Sequence, residues 1–284
     1  MEPHDIVFDQ ETSCWYCGKY ELAGNTGPPR IAIIGSRKTS PYGLTVIDSI
    51  VDGLRSYDCT IMSGLAMGTD QRALGAALER GMTCMGIPGS GLSPVAFTPV
   101  SAASLANTIV RTGGLILSPF APDFVAQRWT FVVRNKLIIQ LAALIVIPEC
   151  EIGGGTFGTA LRAMKMGVKV AVVPGSINAP LSAGTNELLV RGCHCIRNAA
   201  DIIQLIGLQK KSVSAEASRW TENEYDFAER LHSMLTTTSA ASPLSLESIM
   251  TSANANSATV ERALCILIAE HKIIVQNGMI LPVR

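Results

Sequence analysis

Residues 31–37 read Ile31-Ala32-Ile33-Ile34-Gly35-Ser36-Arg37: four apolar residues without polar alternation, then a glycine, a hydroxyl and a cation. An apolar run at every position fits a strand buried on both faces, as in a parallel sheet covered by helices. The pattern recurs. Thr60–Met62, Met82–Ile87, Gly114–Leu117, Leu144–Ile147 and Val168–Val173 are further short runs of this kind. Between them apolar residues fall at helical spacing: Leu44, Ile47, Ile50, Val51 and Leu54, then Ala73, Leu74, Ala77 and Leu78. Ser101–Val110, Asn135–Leu141 and Thr159–Met166 also read as helices. A helix near Thr185–Val190, a short strand near Cys193–Ile196 and a helix near Asp201–Leu208 close the series. Strand–helix alternation of this kind predicts an α/β fold with a doubly wound, mostly parallel sheet.

In such sheets ligands bind beyond the carboxyl ends of the strands. The glycines and small polar residues cluster there: Gly35-Ser36-Arg37, Ser63-Gly64, Gly89-Ser90-Gly91, Gly153-Gly154-Gly155 and Pro174-Gly175-Ser176. Each is compatible with a simple turn; together they read as one rim.

Around this core, residues 1–29 read as a polar N-terminal extension ending in Gly27-Pro28-Pro29, and 30–208 as the main domain. Residues 209–243 read as a linker carrying one helix, Glu224–Leu235. Residues 244–284 read as a small winged-helix-like domain. Leu246–Met250 and Val260–Ala269 are helical there, and Ile273–Val275 and Met279–Leu281 flank Gln276-Asn277-Gly278, a hairpin signal.

The chain has 284 residues, 48% apolar and 16% charged, with mean hydropathy +0.30, which excludes a disordered chain. Net charge is zero overall. Residues 1–29 carry one basic and five acidic residues, whereas 30–207 carry 15 basic and 10 acidic ones. An anionic partner is therefore suggested only for the central segment. No apolar run reaches the ~18 residues of a membrane span. The acidic start lacks an apolar signal core, and the cysteines sit in apolar stretches, so the expectation is a cytoplasmic protein with reduced thiols.

Gly153-Gly154-Gly155-Thr156-Phe157-Gly158-Thr159 follows a strand and opens a helix. A helix N-terminus offers unpaired N–H groups and the positive end of its dipole, and glycines admit an anion closely. Thr156 and Thr159 would add hydroxyl donors. The loop lacks the Gly-Lys-Ser/Thr of a P-loop and the placement of a dinucleotide fingerprint. Gly35-Ser36-Arg37-Lys38 is a similar turn carrying two cations, and an arginine there would meet phosphate with a bidentate fork. Arg128-Trp129-Thr130-Phe131-Val132-Val133-Arg134-Asn135-Lys136 interleaves cations with aromatics, the combination that single-stranded nucleic acid sites use. Its bland alternative makes Phe131 and Val133 core and Trp129 an edge cap. Cys14-x-x-Cys17 and Cys193-His194-Cys195 invite a zinc site, but only the first has ligand spacing. No nucleophile–base–acid set emerges, and Thr69-Asp70 reads as a helix cap. Neither catalytic residues, a metal nor a cofactor is expected.

Taken in order, these motifs resemble a known family. Gly35-Ser36-Arg37-x-x-Ser40-x-Tyr42-Gly43, Ser63-Gly64-Leu65-Ala66-x-Gly68-x-Asp70, Phe131-x-x-Arg134-Asn135-Lys136, Gly155-Thr156-x-Gly158-Thr159-Ala160, and Pro174-Gly175 with Gly184-x-Asn186-x-Leu188 are similar to those of the DNA-processing protein A (DprA, or Smf) family. The resemblance covers about residues 30–207, and the tail is similar to that family's winged-helix module. It implies an extended Rossmann-like domain that binds single-stranded DNA in a basic pocket. It also implies a homodimer that helps load a RecA-type recombinase in natural transformation. Ser36, Arg37 and Lys38 with Gly35 would meet phosphate. Arg134, Asn135 and Lys136 with Phe131 would line the pocket. Gly154, Gly155, Thr156, Gly158 and Thr159 would form its floor, with Ser63 and Gly64 beside it.

The sequence also departs from that pattern. Leu74 stands where the family has histidine, Lys136 where it has a second arginine, and Pro119 where it has glutamate after Ser118. The loop after Gly91 lacks Tyr-Pro, and about 29 residues stand before the first strand in place of a helical domain. Other functions remain open at this point. A nucleotide sensor, or a phosphoribohydrolase similar to the LOG family, would share the glycine-rich turn. The hydrolase needs a carboxylate where this chain has Arg162. A transcription factor acting through the winged helix would place Glu261, Arg262 and Glu270 against DNA phosphate, a poor match.

Overall fold

The computed structural model describes residues 5–10, 12–24, 27–211, 222–238, 244–253, 257–269, 272–276 and 279–282. The chain divides into two compact units, Met1–Lys210 and Lys211–Arg284.

The first unit is built on a nine-stranded sheet. Its parallel strands are β3 (Arg30–Ile33), β4 (Thr60–Ser63), β5 (Thr83–Gly86), β6 (Leu115–Ser118), β7 (Leu144–Ile147), β8 (Val170–Val172) and β9 (His194–Cys195). Two more strands, β1 (Val7–Asp9) and β2 (Cys14–Gly18), precede them in the chain. Strand β2 pairs antiparallel with β6, Cys17 opposite Ile116. Part of the segment read as an N-terminal extension therefore closes one edge of the sheet. The spatial order is β1-β2-β6-β5-β4-β3-β7-β8-β9. From β3 the chain winds outward to one side through β4, β5 and β6, then returns to β3's other flank at β7. The order reverses between β3 and β7, and a crevice opens there.

The helices are α1 (Pro41–Leu54), α2 (Thr69–Glu79), α3 (Ala103–Arg111), α4 (Thr130–Leu141), α5 (Gly155–Lys165), α6 (Pro180–Val190) and α7 (Ala199–Ile206). Alternate strand residues feed two cores. Ile31 and Ile33 pack with Ile47, Ile50 and Leu54 of α1, Leu74 of α2, Ile109 of α3 and Ile202 of α7. Ala32 and Ile34 pack with Ile138 and Ile139 of α4, Phe157 and Ala160 of α5 and Leu188 of α6. Period-2 alternation divides one apolar strand between two helical layers, so nearly every position in it must be apolar.

Several helices begin earlier than their apolar spacing suggests. The first turns Thr130–Arg134 and Gly155–Gly158 show no helical apolar spacing in sequence, yet both are helical. Helix α2 is capped by Gly68, at φ +79°, rather than by Thr69-Asp70. A side chain on Gly68 would also meet the Arg37 carbonyl at 2.6 Å, so the bend demands glycine.

The second unit runs α8 (Glu222–Thr238), β10 (Leu244–Ser245), α9 (Leu246–Ala253), α10 (Ser257–Ala269), β11 (Ile273–Gln276) and β12 (Met279–Pro282). Its strands form a sheet of order β10-β12-β11, with β11 and β12 antiparallel as the hairpin signal implies. The Asn277-Gly278 turn lies outside the described residues. Helix–strand–helix–helix–hairpin is the order expected of a winged helix. Ala228, Leu231 and Leu235 of α8 pack with Val260, Leu264 and Leu267 of α10. The helix read as part of a linker thus belongs to the core of this unit. No helix among the described residues is long and apolar enough to cross a membrane.

Candidate nucleic-acid interface

A cleft of about 290 Å³ lies at the β3/β7 crevice. Three segments far apart in sequence line it: Ile34, Gly35, Ser36 and Arg37 after β3; Phe131, Arg134 and Asn135 on α4; and Cys150, Glu151, Gly154, Gly155, Thr156 and Thr159 after β7 and on α5. Ala66 and Asp70 complete the wall.

The α5 end of the cleft is shaped for an anion. Gly154 caps the helix with extended backbone and no side-chain hydrogen bond. The helical ladder starts with the Gly158 amide donating to the Gly154 carbonyl at 3.0 Å. The amides of Gly155, Thr156 and Phe157 precede that bond and have no partner within the helix. A Cβ placed on Gly155 or Gly158 would meet nothing within 4 Å. The threonine hydroxyls behave differently from the expectation of free donors. Thr156 donates to the Gly35 carbonyl at 2.9 Å and Thr159 to the Gly155 carbonyl at 2.8 Å. Asn135 Nδ2 donates to Thr159 Oγ1 at 2.9 Å, tying α4 to α5. Both hydroxyl protons are spent on positioning, which leaves the amides as the donors at this end.

Arg37 is exposed, and its guanidinium lies 5.1 Å from the Phe131 ring centroid. The half-buried Phe131 also packs against Gly89, where a Cβ would sit 2.7 Å from the ring. Arg134 approaches the same ring at 5.8 Å but is only 4% exposed. Its Nη1 donates to the Gly64 and Ile87 carbonyls, the latter at 2.6 Å, and its Nε to Asn135 Oδ1 at 2.9 Å. This arginine clamps the ends of β4 and β5 to α4. Burial pushes its pKa down, against the opposing pull of Asp70, and the Arg37 charge adds to the lowering. Asp70 is likewise buried and accepts from the Gly64 and Ala66 amides at 3.1 and 3.3 Å. Burial raises its carboxyl above the usual range, and Arg134 and these amides oppose the rise.

Of the residues singled out in the sequence, Lys38, Ser63, Gly64, Lys136 and Gly158 do not line the cleft. Lys38 and Lys136 are exposed outside it. Ser63 is buried and donates to the Ile33 carbonyl, and Gly64 makes room for the Arg134 guanidinium. Val133, the alternative core residue, is exposed. Cys150, Glu151 and Ile34 are lining residues that the motifs did not single out, and Ala66 stood in a quoted motif without being named a site residue; only their position after strand ends could have pointed to them. Burial holds the Cys150 thiol up at about 12, so it remains protonated. Glu149 was also missed. Nearly fully buried, its carboxylate accepts from both the amide and the hydroxyl of Ser40, at 2.9 and 2.5 Å, and so fixes the start of α1.

The cysteine pairs that invited a zinc alternative are not brought together as ligands. Cys14 and Cys17 are three apart on one strand, so their side chains point to opposite faces. Cys193 is buried with Sγ 3.4 Å from Met164 Sδ, while His194 and Cys195 are exposed. Among the described residues no cluster of three or more His, Cys, Asp or Glu could hold a metal ion.

The family model described as "DNA recombination-mediator protein A" matches residues 7–207, from β1 through the end of α7. The chain belongs to this family. Relatives within it include the DNA processing protein DprA of Streptococcus pneumoniae, 30% identical over 203 residues that cover 71% of this chain and 70% of the relative. The X-ray structure of the pneumococcal protein superposes with a TM-score of 0.63 over 68% of this chain and 66% of its own. Protein Smf of Escherichia coli K12 is 29% identical over 201 residues, and the match spans 70% of this chain but only 53% of that protein. The Helicobacter pylori DNA processing protein A, whose structure is described in terms of a unique single-stranded DNA binding mode, gives a TM-score of 0.60 at 29% identity, covering 68% of this chain and 85% of its own. Family membership makes this chain a DNA-processing protein, and the shared region contains the whole β3/β7 cleft.

Proposed function

We propose that this chain binds single-stranded DNA in the β3/β7 cleft. The observation that carries the reading is the open N-terminus of α5. Gly155 and Thr156, whose amides have no partner within the helix, line a cleft whose other wall is Phe131 with the Arg37 cation over it, and among the described residues nothing lies within 4 Å of where a Gly155 Cβ would sit. Amides and Arg37 offer a phosphate site, and Phe131 offers a ring for a base. Lys38 and Lys136 stand outside the cleft as cations for flanking phosphates. The H. pylori relative's single-stranded DNA binding supports the reading.

We further propose that the bound strand is protected and handed to a RecA-type recombinase, and that the working form is a homodimer in the cytoplasm. The family description as a recombination mediator supports the first of these; the others rest on the resemblance.

Mobility shifts with single- and double-stranded oligonucleotides over a salt series test the binding. Single-stranded DNA should bind more tightly, and log K should fall linearly with log salt, by about 0.7 per phosphate contacted. Arg37→Ala combined with Lys136→Ala should abolish most of the binding. Salt-independent binding would overturn the proposal. Release of adenine from AMP by the purified chain would instead favour the phosphoribohydrolase reading.

A further inference from the structure

Trp129 stands at the start of α4, two residues before Phe131, and is 49% exposed. A single exposed apolar residue needs no explanation, but this indole is held in place. Its Nε1 donates to Gln127 Oε1 at 2.8 Å. It stands nearly perpendicular to two other rings, Phe120 at 5.9 Å and 77° and Phe124 at 5.7 Å and 73°. Those two rings stack on each other at 5.3 Å. The freedom that binding would otherwise remove has already been lost in the folded chain.

Residues two apart on a helix face away from each other. Phe131 turns into the cleft, so Trp129 faces outward from the same helix end, with the two Cα atoms on the order of 5–7 Å apart. Beside it Arg128 is exposed and makes no ion pair among the described residues. A rigid aromatic surface and an exposed cation, two and three residues before the Phe131 that lines the cleft, suit a base and its phosphate better than an apolar protein surface.

We propose that Trp129 is a second base-stacking platform, which takes the base of the nucleotide next to the one held in the cleft, with Arg128 neutralising the phosphate between them. This inference rests on the single-stranded DNA reading of the cleft. Base stacking is sequence-tolerant, so the second platform lengthens the footprint without adding base preference.

The chain has three tryptophans. In a full-length Trp15→Phe, Trp220→Phe variant, Trp129 is the only indole, and its emission should be quenched on titration with oligo(dT). In the otherwise native chain, Trp129→Ala should weaken oligo(dT) binding about 5- to 150-fold without changing the salt slope, because no phosphate contact is lost. Arg37→Ala should lower that slope. Trp129→Tyr should recover most of the affinity and Trp129→Leu should not, which separates stacking from support of the fold. Native-like affinity of Trp129→Ala, equal affinity of the Tyr and Leu variants, or unquenched emission during binding would each overturn the inference. If the unaltered chain does not bind oligo(dT), the cleft reading itself falls instead.

Discussion

The Thr156 hydroxyl donates to the Gly35 carbonyl at 2.9 Å, joining the loops after β3 and β7 across 121 residues. This bond sets the spacing between the Arg37 turn and the amides of α5. Thr156→Val should therefore cost about 1 kcal/mol of stability and weaken DNA binding by spreading the two loops. Thr156→Ser should behave like the native chain. Thermal unfolding and oligonucleotide titration on both variants read the two effects.

Gly155 stands in the first turn of α5 with open space beside it. Alanine there should leave stability unchanged or raise it by up to about 1 kcal/mol, because it restricts the unfolded chain. The same methyl group would project where a phosphate is expected and should lower DNA affinity several-fold. Higher stability with weaker binding separates a ligand role from a packing role; unchanged affinity would contradict the amide site.

At Gly64 the opposite holds. A methyl group would run into the Arg134 guanidinium, which is buried between carbonyls and cannot move away at low cost. Gly64→Ala should destabilise the first unit by about 1–3 kcal/mol, lowering its Tm by several degrees. Differential scanning calorimetry reads the change.

Arg197 donates to the Asp201 carboxylate through its side chain and its amide, and these bonds hold the Asp201 pKa at about 2, below its ordinary 3.8. A carboxylate with a depressed folded pKa adds stability above its unfolded pKa and loses it as pH falls through the folded value. The Tm difference between the native chain and Asp201→Asn should be full at pH 5 and shrink between about pH 4 and pH 2.

Much of this architecture is legible along the chain. Ile31–Ile34 and Leu144–Ile147 read as doubly buried strands because burial on both faces demands apolar residues at every position. The turns at Gly35 and Gly153–Gly155 read as ligand loops because glycine and small polar residues stand out locally after such runs. The strand β2 escaped notice because Cys14-Trp15-Tyr16-Cys17 sits at the sheet's edge in a polar segment, where cysteine spacing is the louder signal. Glu149 escaped because a buried carboxylate shows itself only through its partner, and Ser40 lies 109 residues away.

Local pattern thus accounts for which segments are strands, which are helices, and which loops carry chemistry. It does not order the strands. The reversal between β3 and β7 brings Arg37, Phe131 and Gly155 to one cleft, leaves Lys136 outside its lining, and sets Arg134 in the cleft wall as a buried clamp. Those outcomes follow from long-range strand pairing and from where each helix face must bury its apolar side. Both are properties of the packed molecule, which no window of neighbouring residues contains.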